Sequence, residues 1–169
     1  MKGTAPSGFA PKGPYLQPAT RMGEILILLA LILLNGLFSM SEIALVSARK
    51  TRLENDAKRG DGRAKAALDL SNSPNRFLST VQIGITLIGI LTGIYSGENI
   101  TEDLKVTLRN YPHLAPYANS LAVTAVVVLV TFFTLILGEL VPKRIGLTYP
   151  EPIAKAMALP MRMISIATA

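Results

Sequence analysis

Apolar residues fall into three blocks along this chain, and each block is interrupted at only a few places. The first opens with ten consecutive apolar residues, Ile25 to Leu34, and continues past Asn35, Ser39, Ser41 and Glu42 to Ala48. The second, Phe77 to Tyr95, mixes Ile, Leu and Val with Gly84, Gly89, Gly93, Thr80, Gln82, Thr86 and Thr92. The third runs almost unbroken from Leu121 to Val141 and carries Glu139 near its end. A helix needs about 20 residues to cross a hydrocarbon core of ~30 Å. The blocks therefore predict transmembrane helices at about residues 23–47, 77–97 and 119–142. The middle helix, rich in glycine and hydroxyls, should be screened from lipid by its neighbours. The expected class is an all-α membrane protein with three spans.

Between the blocks the pattern changes. In "SARKTRLENDAKRGDGRAKAALDLSNSPNRF", Leu53, Ala57, Ala64, Ala67 and Leu68 recur at roughly helical spacing among charges. This predicts one or two amphipathic connecting helices, broken near Gly60 and Gly62, with a Ser or Asn of "SNSPNRF" capping the second span. The next connection predicts a short helix from about Ile100 to Arg109 with Thr101 as its cap, and leaves His113, the only histidine, between two prolines. After the third span, Pro150 and Pro152 open an amphipathic juxtamembrane helix over about residues 150–167, lying along the membrane surface. Residues 1–21, rich in Pro and Gly near their start, read as a disordered tail or as sequence foreign to the native chain. Residues 22–169 then form a single membrane domain. Its first span is too long for a cleaved signal peptide and reads as a retained anchor.

Charge adds a direction. Net charge is +6, and residues 46–76 hold eight Lys or Arg, while the segment after Val141 holds four. The N-terminal tail and the loop from Ser96 to Ser120 together hold five. Basic loops stay on the cytoplasmic side. This places the N-terminus outside and the C-terminus inside a plasma or bacterial inner membrane. The basic face should meet anionic headgroups, each residue contributing about 1 kcal/mol. Nucleic acid is not an expected partner, because no aromatic or groove-entering motif accompanies the charge. Cysteine is absent, which excludes disulfides and thiolate metal sites. With no nucleophile beside a base, no enzymatic activity is expected.

The chemistry rests on polar residues at membrane depth, where a carboxylate is retained when paired or functional. Asn35, Ser39 and Glu42 share one helix face at i, i+4 and i+7. Ser41 lies off that face but within the same group of candidate ligands. Pro142 removes the amide that would bond to the carbonyl of Gly138, leaving a freed oxygen beside the Glu139 carboxylate. Oxygens of this kind suit a hard cation. Thr86 on the middle span completes a candidate metal site of Ser39, Ser41, Glu42, Thr86, Gly138 and Glu139. Asn35, Gly89, Gly93, Pro142 and Lys143 would support it, the two glycines by close helix packing. Plainer readings stand beside this one. Glu42 would pair with Arg49 at the interface, and Lys143, at i+4, would form an ordinary ion pair with Glu139.

"NGLFSMSEIALVSARKTRLE", "SPNRFLSTVQIGITL" and "LGELVPKRIGL" resemble, in order and spacing, the transmembrane (DUF21) domain of the CorC/CNNM family. The resemblance covers about residues 22–165. It implies a homodimeric transporter that moves Mg²⁺ across the membrane, with a dehydrated ion held between the three helices and Na⁺ as a possible counter-ion. The family serine matches Ser39, and the acid of its GE-x-x-P block matches Glu139. Some relatives carry Asn at the position of Glu42, and others carry Asn near Ile85 to Gly89, where this chain offers no side-chain oxygen. Full-length relatives also carry ATP-binding CBS domains outside the region matched here. A family branch exports polyamines such as putrescine and cadaverine, which makes polyamine export the alternative activity. A sensor or scaffold that transports nothing is the alternative of a different class.

Overall fold

The computed structural model describes residues 18–96 and 100–167. Most of the expected N-terminal tail, through residue 17, lies outside the described residues, as does residue 97 at the expected end of the second span. Among the described residues every regular element is helical. The helices are α1 (Pro18–Ser47), α2 (Lys50–Lys58), α3 (Gly62–Asn72), α4 (Pro74–Tyr95), α5 (Thr101–Arg109), α6 (Ala118–Leu135), α7 (Val141–Thr148) and α8 (Pro150–Ala167). A π-helical turn, Ile136–Leu140, joins α6 to α7. Three stretches are long and apolar enough to cross a membrane: Met22–Ser47, Pro74–Tyr95 and Ala115–Thr148. The third continues past Pro142 to Thr148, because the π turn absorbs the missing amide: Val141 N–H reaches back five residues to the carbonyl of Ile136.

α1 is the central helix and packs against α4, α7, the π turn and α8. Glycines set these contacts. The ring of Phe38 fills the space beside Gly84 on α4, where any side chain would collide with it. A Cβ on Gly36 would lie 2.8 Å from Pro142 Cγ and 2.9 Å from the Leu137 carbonyl. Farther along, Gly146 of α7 sits against Ile43 and the Met40 carbonyl. Small residues thus let the backbones approach closely, as helix packing in lipid requires. Gly89 and Gly93, expected to serve this purpose, do not do so within the chain: nothing lies within 4 Å of a Cβ built on either.

The apolar core lies where α2, α3 and α8 close over one end of α1 and α4, around Leu45, Leu53, Leu70, Phe77, Ala158 and Met161. The outer faces of the spans, including Leu33, Ile83, Leu87, Val128 and Phe132, are exposed in the isolated chain and suited to lipid. The break between α2 and α3 falls at Gly60, whose φ of +93° needs glycine. Asp61 then caps α3 by accepting from Arg63 N and Ala64 N at 2.9 and 3.2 Å. Ser73 precedes α4 but makes no side-chain cap bond, and that helix starts on Pro74. Thr101 is the first residue of α5 rather than its cap, and its hydroxyl bonds to the Ser96 carbonyl.

Ion pairs hold α8 onto the connecting helices. Lys155 Nζ lies 2.9 Å from Asp56 Oδ2 and 3.2 Å from Asp61 Oδ2, and Arg52 lies 3.6 Å from Glu151. Asp61 sits below the ordinary carboxylate range, first because Ala64 N–H donates to it and then because of Lys155. Lys155 is raised by its bonds to Asp56 and Asp61. The lowered group contributes stability above its unfolded pKa, which is lost as pH falls through the folded value. The raised group contributes below its unfolded pKa, and that is lost as pH rises through the folded value. Thermal stability followed by circular dichroism should therefore be highest between about pH 4 and 10 and fall on both sides. Lys155→Met should remove most of the alkaline decline and lower the neutral plateau; an unchanged profile would rule out the clamp.

Candidate functional site

α1 and the third span meet through polar groups at membrane depth. Asn35 Nδ2 donates to the Gly138 carbonyl at 3.1 Å. This is the carbonyl that Pro142 frees, and the partner comes from a different helix. Because a carbonyl only accepts, the NH₂ group of Asn35 must face it, and Oδ1 is turned away. Oδ1 is buried with no hydrogen-bond partner. One turn further along α1, Ser39 is 1% exposed, and its Oγ also lacks a partner. It lies between Gly36, which meets Pro142, and Ile43, which meets Gly146. An unsatisfied buried polar group costs about 1–3 kcal/mol. Among the described residues, just three side chains carry such an atom, so two on one helix face form a cluster.

Glu42 continues the face and is partly exposed. Among the described residues no ion pair joins it to Arg49. Glu139 is part of the π turn, and its Oε1 lies 2.6 Å from Lys143 Nζ, with side chains 44% and 37% exposed. The intrahelical pair and the helix distortion thus coexist. The Gly138 carbonyl is not left open beside that carboxylate, since Asn35 engages it.

Two candidates lie apart from this cluster. Ser41 is buried, but its Oγ donates to the Leu37 carbonyl at 2.6 Å, and the residue faces Met157, Ala158 and Met161 of α8. Thr86 is exposed, on a different side of α4 from the buried Val81 and Ile88, because at 100° per residue it points well away from that row. The third unpartnered oxygen belongs to Thr134, one turn before Gly138. Sequence reasoning missed it, although Thr131 and Thr134 are the polar interruptions of "VVVLVTFFTLIL". Among the described residues no three His, Cys, Asp or Glu side chains converge. The cluster therefore consists of neutral oxygens, with at most two carboxylates at its margin.

Closely packed apolar helices around a distorted third span, with unpartnered oxygens in their contact, define a three-span helical membrane protein. The chain belongs to the family of Cyclin M transmembrane N-terminal domains (CNNM), whose model matches residues 26–169. It is 52% identical over 146 residues to the UPF0053 protein sll0260 of Synechocystis sp., an alignment covering 86% of this chain and 33% of that protein. It is also similar to proteins named polyamine export protein. That of Haemophilus influenzae is 36% identical, covering 77% of this chain and 30% of the relative. That of Escherichia coli K12 is 33% identical, with coverages of 83% and 31%. The chain spans about a third of the length of these relatives.

Proposed function

We propose that this domain binds and transports a cation, with Mg²⁺ as cargo, between α1 and the π turn of the third span. The observation that carries the reading is the pair of buried, unpartnered oxygens, Asn35 Oδ1 and Ser39 Oγ, on one face of α1. Both accept hydrogen bonds or ligate a cation, and an arriving ion removes the cost of leaving them unsatisfied. Mg²⁺ usually keeps several of its waters and takes only one or two carboxylates from the protein. A site of two neutral oxygens with Glu42 and Glu139 nearby fits that habit, so the ion here retains part of its shell. Lys143 occupies Glu139 and would be displaced as the ion enters. Na⁺ exchange, a homodimeric assembly, an outside N-terminus and regulation through ATP-binding domains remain parts of the same proposal.

Titration calorimetry with Mg²⁺ tests it. Glu139→Gln should weaken binding by about tenfold or more, as removal of a charged partner does, and unchanged binding would sink the site. The relatives named as polyamine export proteins favour a second reading. A diamine would donate from its two ammonium groups to the same oxygens and carboxylates. Flux into proteoliposomes, compared for Mg²⁺ and putrescine, separates the two. Transport of neither would leave the scaffold reading.

A further inference from the structure

The middle span, α4, divides its surface into three faces. Phe77, Val81 and Ile88 are buried against the rest of the chain. Ile83, Leu87, Ile90 and Ile94 form an exposed apolar row, which hydrocarbon suits. Asn75, Ser79, Gln82, Thr86, Gly89 and Gly93 are exposed as well, and each is polar or glycine. At 100° per residue this stripe lies about 140° from the buried row and about 100° from the apolar one. Its members follow one another at intervals of four and three residues in alternation. That is the period of a helix packed along its length on a second helix.

The deciding group is Gln82. It stands about 12 Å along the axis from Pro74, inside the apolar span Pro74–Tyr95. Among the described residues neither its amide nor the Thr86 hydroxyl has a hydrogen-bond partner. The inward-facing threonines of the same helix differ: Thr80 donates to the Arg76 carbonyl at 2.9 Å and Thr92 to that of Ile88 at 2.8 Å. Lipid chains offer neither donor nor acceptor, so an amide turned toward them stays unsatisfied. In membranes such side chains bond across helices, beside small residues that let backbones approach.

We propose that this stripe is the contact surface for a second copy of the chain, α4 against α4. Copies inserted in the same direction run these helices parallel, with their two-fold axis along the membrane normal. Each stripe residue then meets its own counterpart at equal depth. A primary amide both donates and accepts, so the two Gln82 side chains satisfy each other. Toward the other end, Gly89 and Gly93 have nothing within 4 Å of a built Cβ, which leaves room for the partner's backbone. The proposal gives the homodimeric assembly named above a face and a register; it rests on that assembly and not on the ion.

The absence of native cysteine allows a direct test. Ser79→Cys, Thr86→Cys and Gly89→Cys are made singly in the full chain in liposomes, with Ile83→Cys, Leu87→Cys and Ile90→Cys as the apolar-row set. All six positions are exposed, so none of these changes removes core packing. Disulfides form where Cα atoms come within about 4.4–6.8 Å. Under oxidation the stripe variants should cross-link to dimers, and the apolar-row variants should not. Energy transfer between labelled copies, followed on dilution with lipid, measures association. Gln82→Leu should weaken it about tenfold, as loss of two interhelical bonds does, while Gln82→Asn should retain most of it.

Cross-links confined to the apolar row, with energy transfer intact, would overturn the face while leaving the assembly. Energy transfer absent from the wild type would overturn both, and lipid or a further segment of the chain would then cover the stripe. Association unchanged in Gln82→Leu would end the amide pairing. Failure of the ion reading would appear separately, as Mg²⁺ calorimetry that does not distinguish wild type from Glu139→Gln while the cross-linking pattern persists.

Discussion

Ser39→Ala should make the ion-free protein more heat-stable and shrink the stabilisation that Mg²⁺ adds. The hydroxyl is buried without a partner, and deleting such a group relieves a cost of about 1–3 kcal/mol while opening little space. In the proposed site the same deletion removes one oxygen, and Mg²⁺ affinity should fall about tenfold, equivalent to ~1.4 kcal/mol. Melting curves in detergent, with and without Mg²⁺, read both effects. The variant should melt higher than wild type without the ion, and the rise on adding Mg²⁺ should shrink, since that rise follows ligand concentration over dissociation constant. A serine that merely braced the helix would lower stability in both conditions when removed, and that result would end the case for an ion at this position.

The second large effect is expected at Gly36. A Cβ there meets Pro142 and the Leu137 carbonyl at under 3 Å, and neither is the movable end of a flexible side chain. Gly36→Val adds two further methyls, so α1 and the third span must separate. Overpacking of this kind costs about 1–3 kcal/mol or more, and here the adjacent Asn35–Gly138 bond would be lost as well. The variant should fail to give a monodisperse peak in size-exclusion chromatography. Gly89→Val is the control: its Cβ meets nothing within 4 Å, so the protein should fold. If both variants behave like wild type, the close contact at Gly36 is not what holds the bundle together.

The spans were legible because length and hydropathy suffice to identify a membrane helix, whatever its neighbours. The freed carbonyl of Gly138 was also legible, since Pro142 acts locally. What bonds to that carbonyl was not, because Asn35 lies 103 residues away in sequence. Periodicity put Asn35, Ser39 and Glu42 on one face but could not say which helix that face meets. For the same reason Thr86 was grouped with them, although its face of α4 turns elsewhere. Gly89 and Gly93 matched a packing motif whose spacing recurs without a partner, whereas the glycines that touch another helix, Gly36, Gly84, Gly138 and Gly146, share no such spacing. Thr134 was overlooked because a threonine in a membrane helix ordinarily bonds to its own backbone.

The bond from Asn35 to Gly138 also bears on biosynthesis. With translation at about 5–20 residues per second, the amide waits roughly 5–20 s for its acceptor to leave the ribosome. During that interval the first helix must stay in the membrane with its polar face unmatched, and the ten apolar residues from Ile25 to Leu34 are what retain it there. The greasy stretch thus serves the nascent chain as an anchor, holding Asn35 and Ser39 at depth until the third span arrives to cover them.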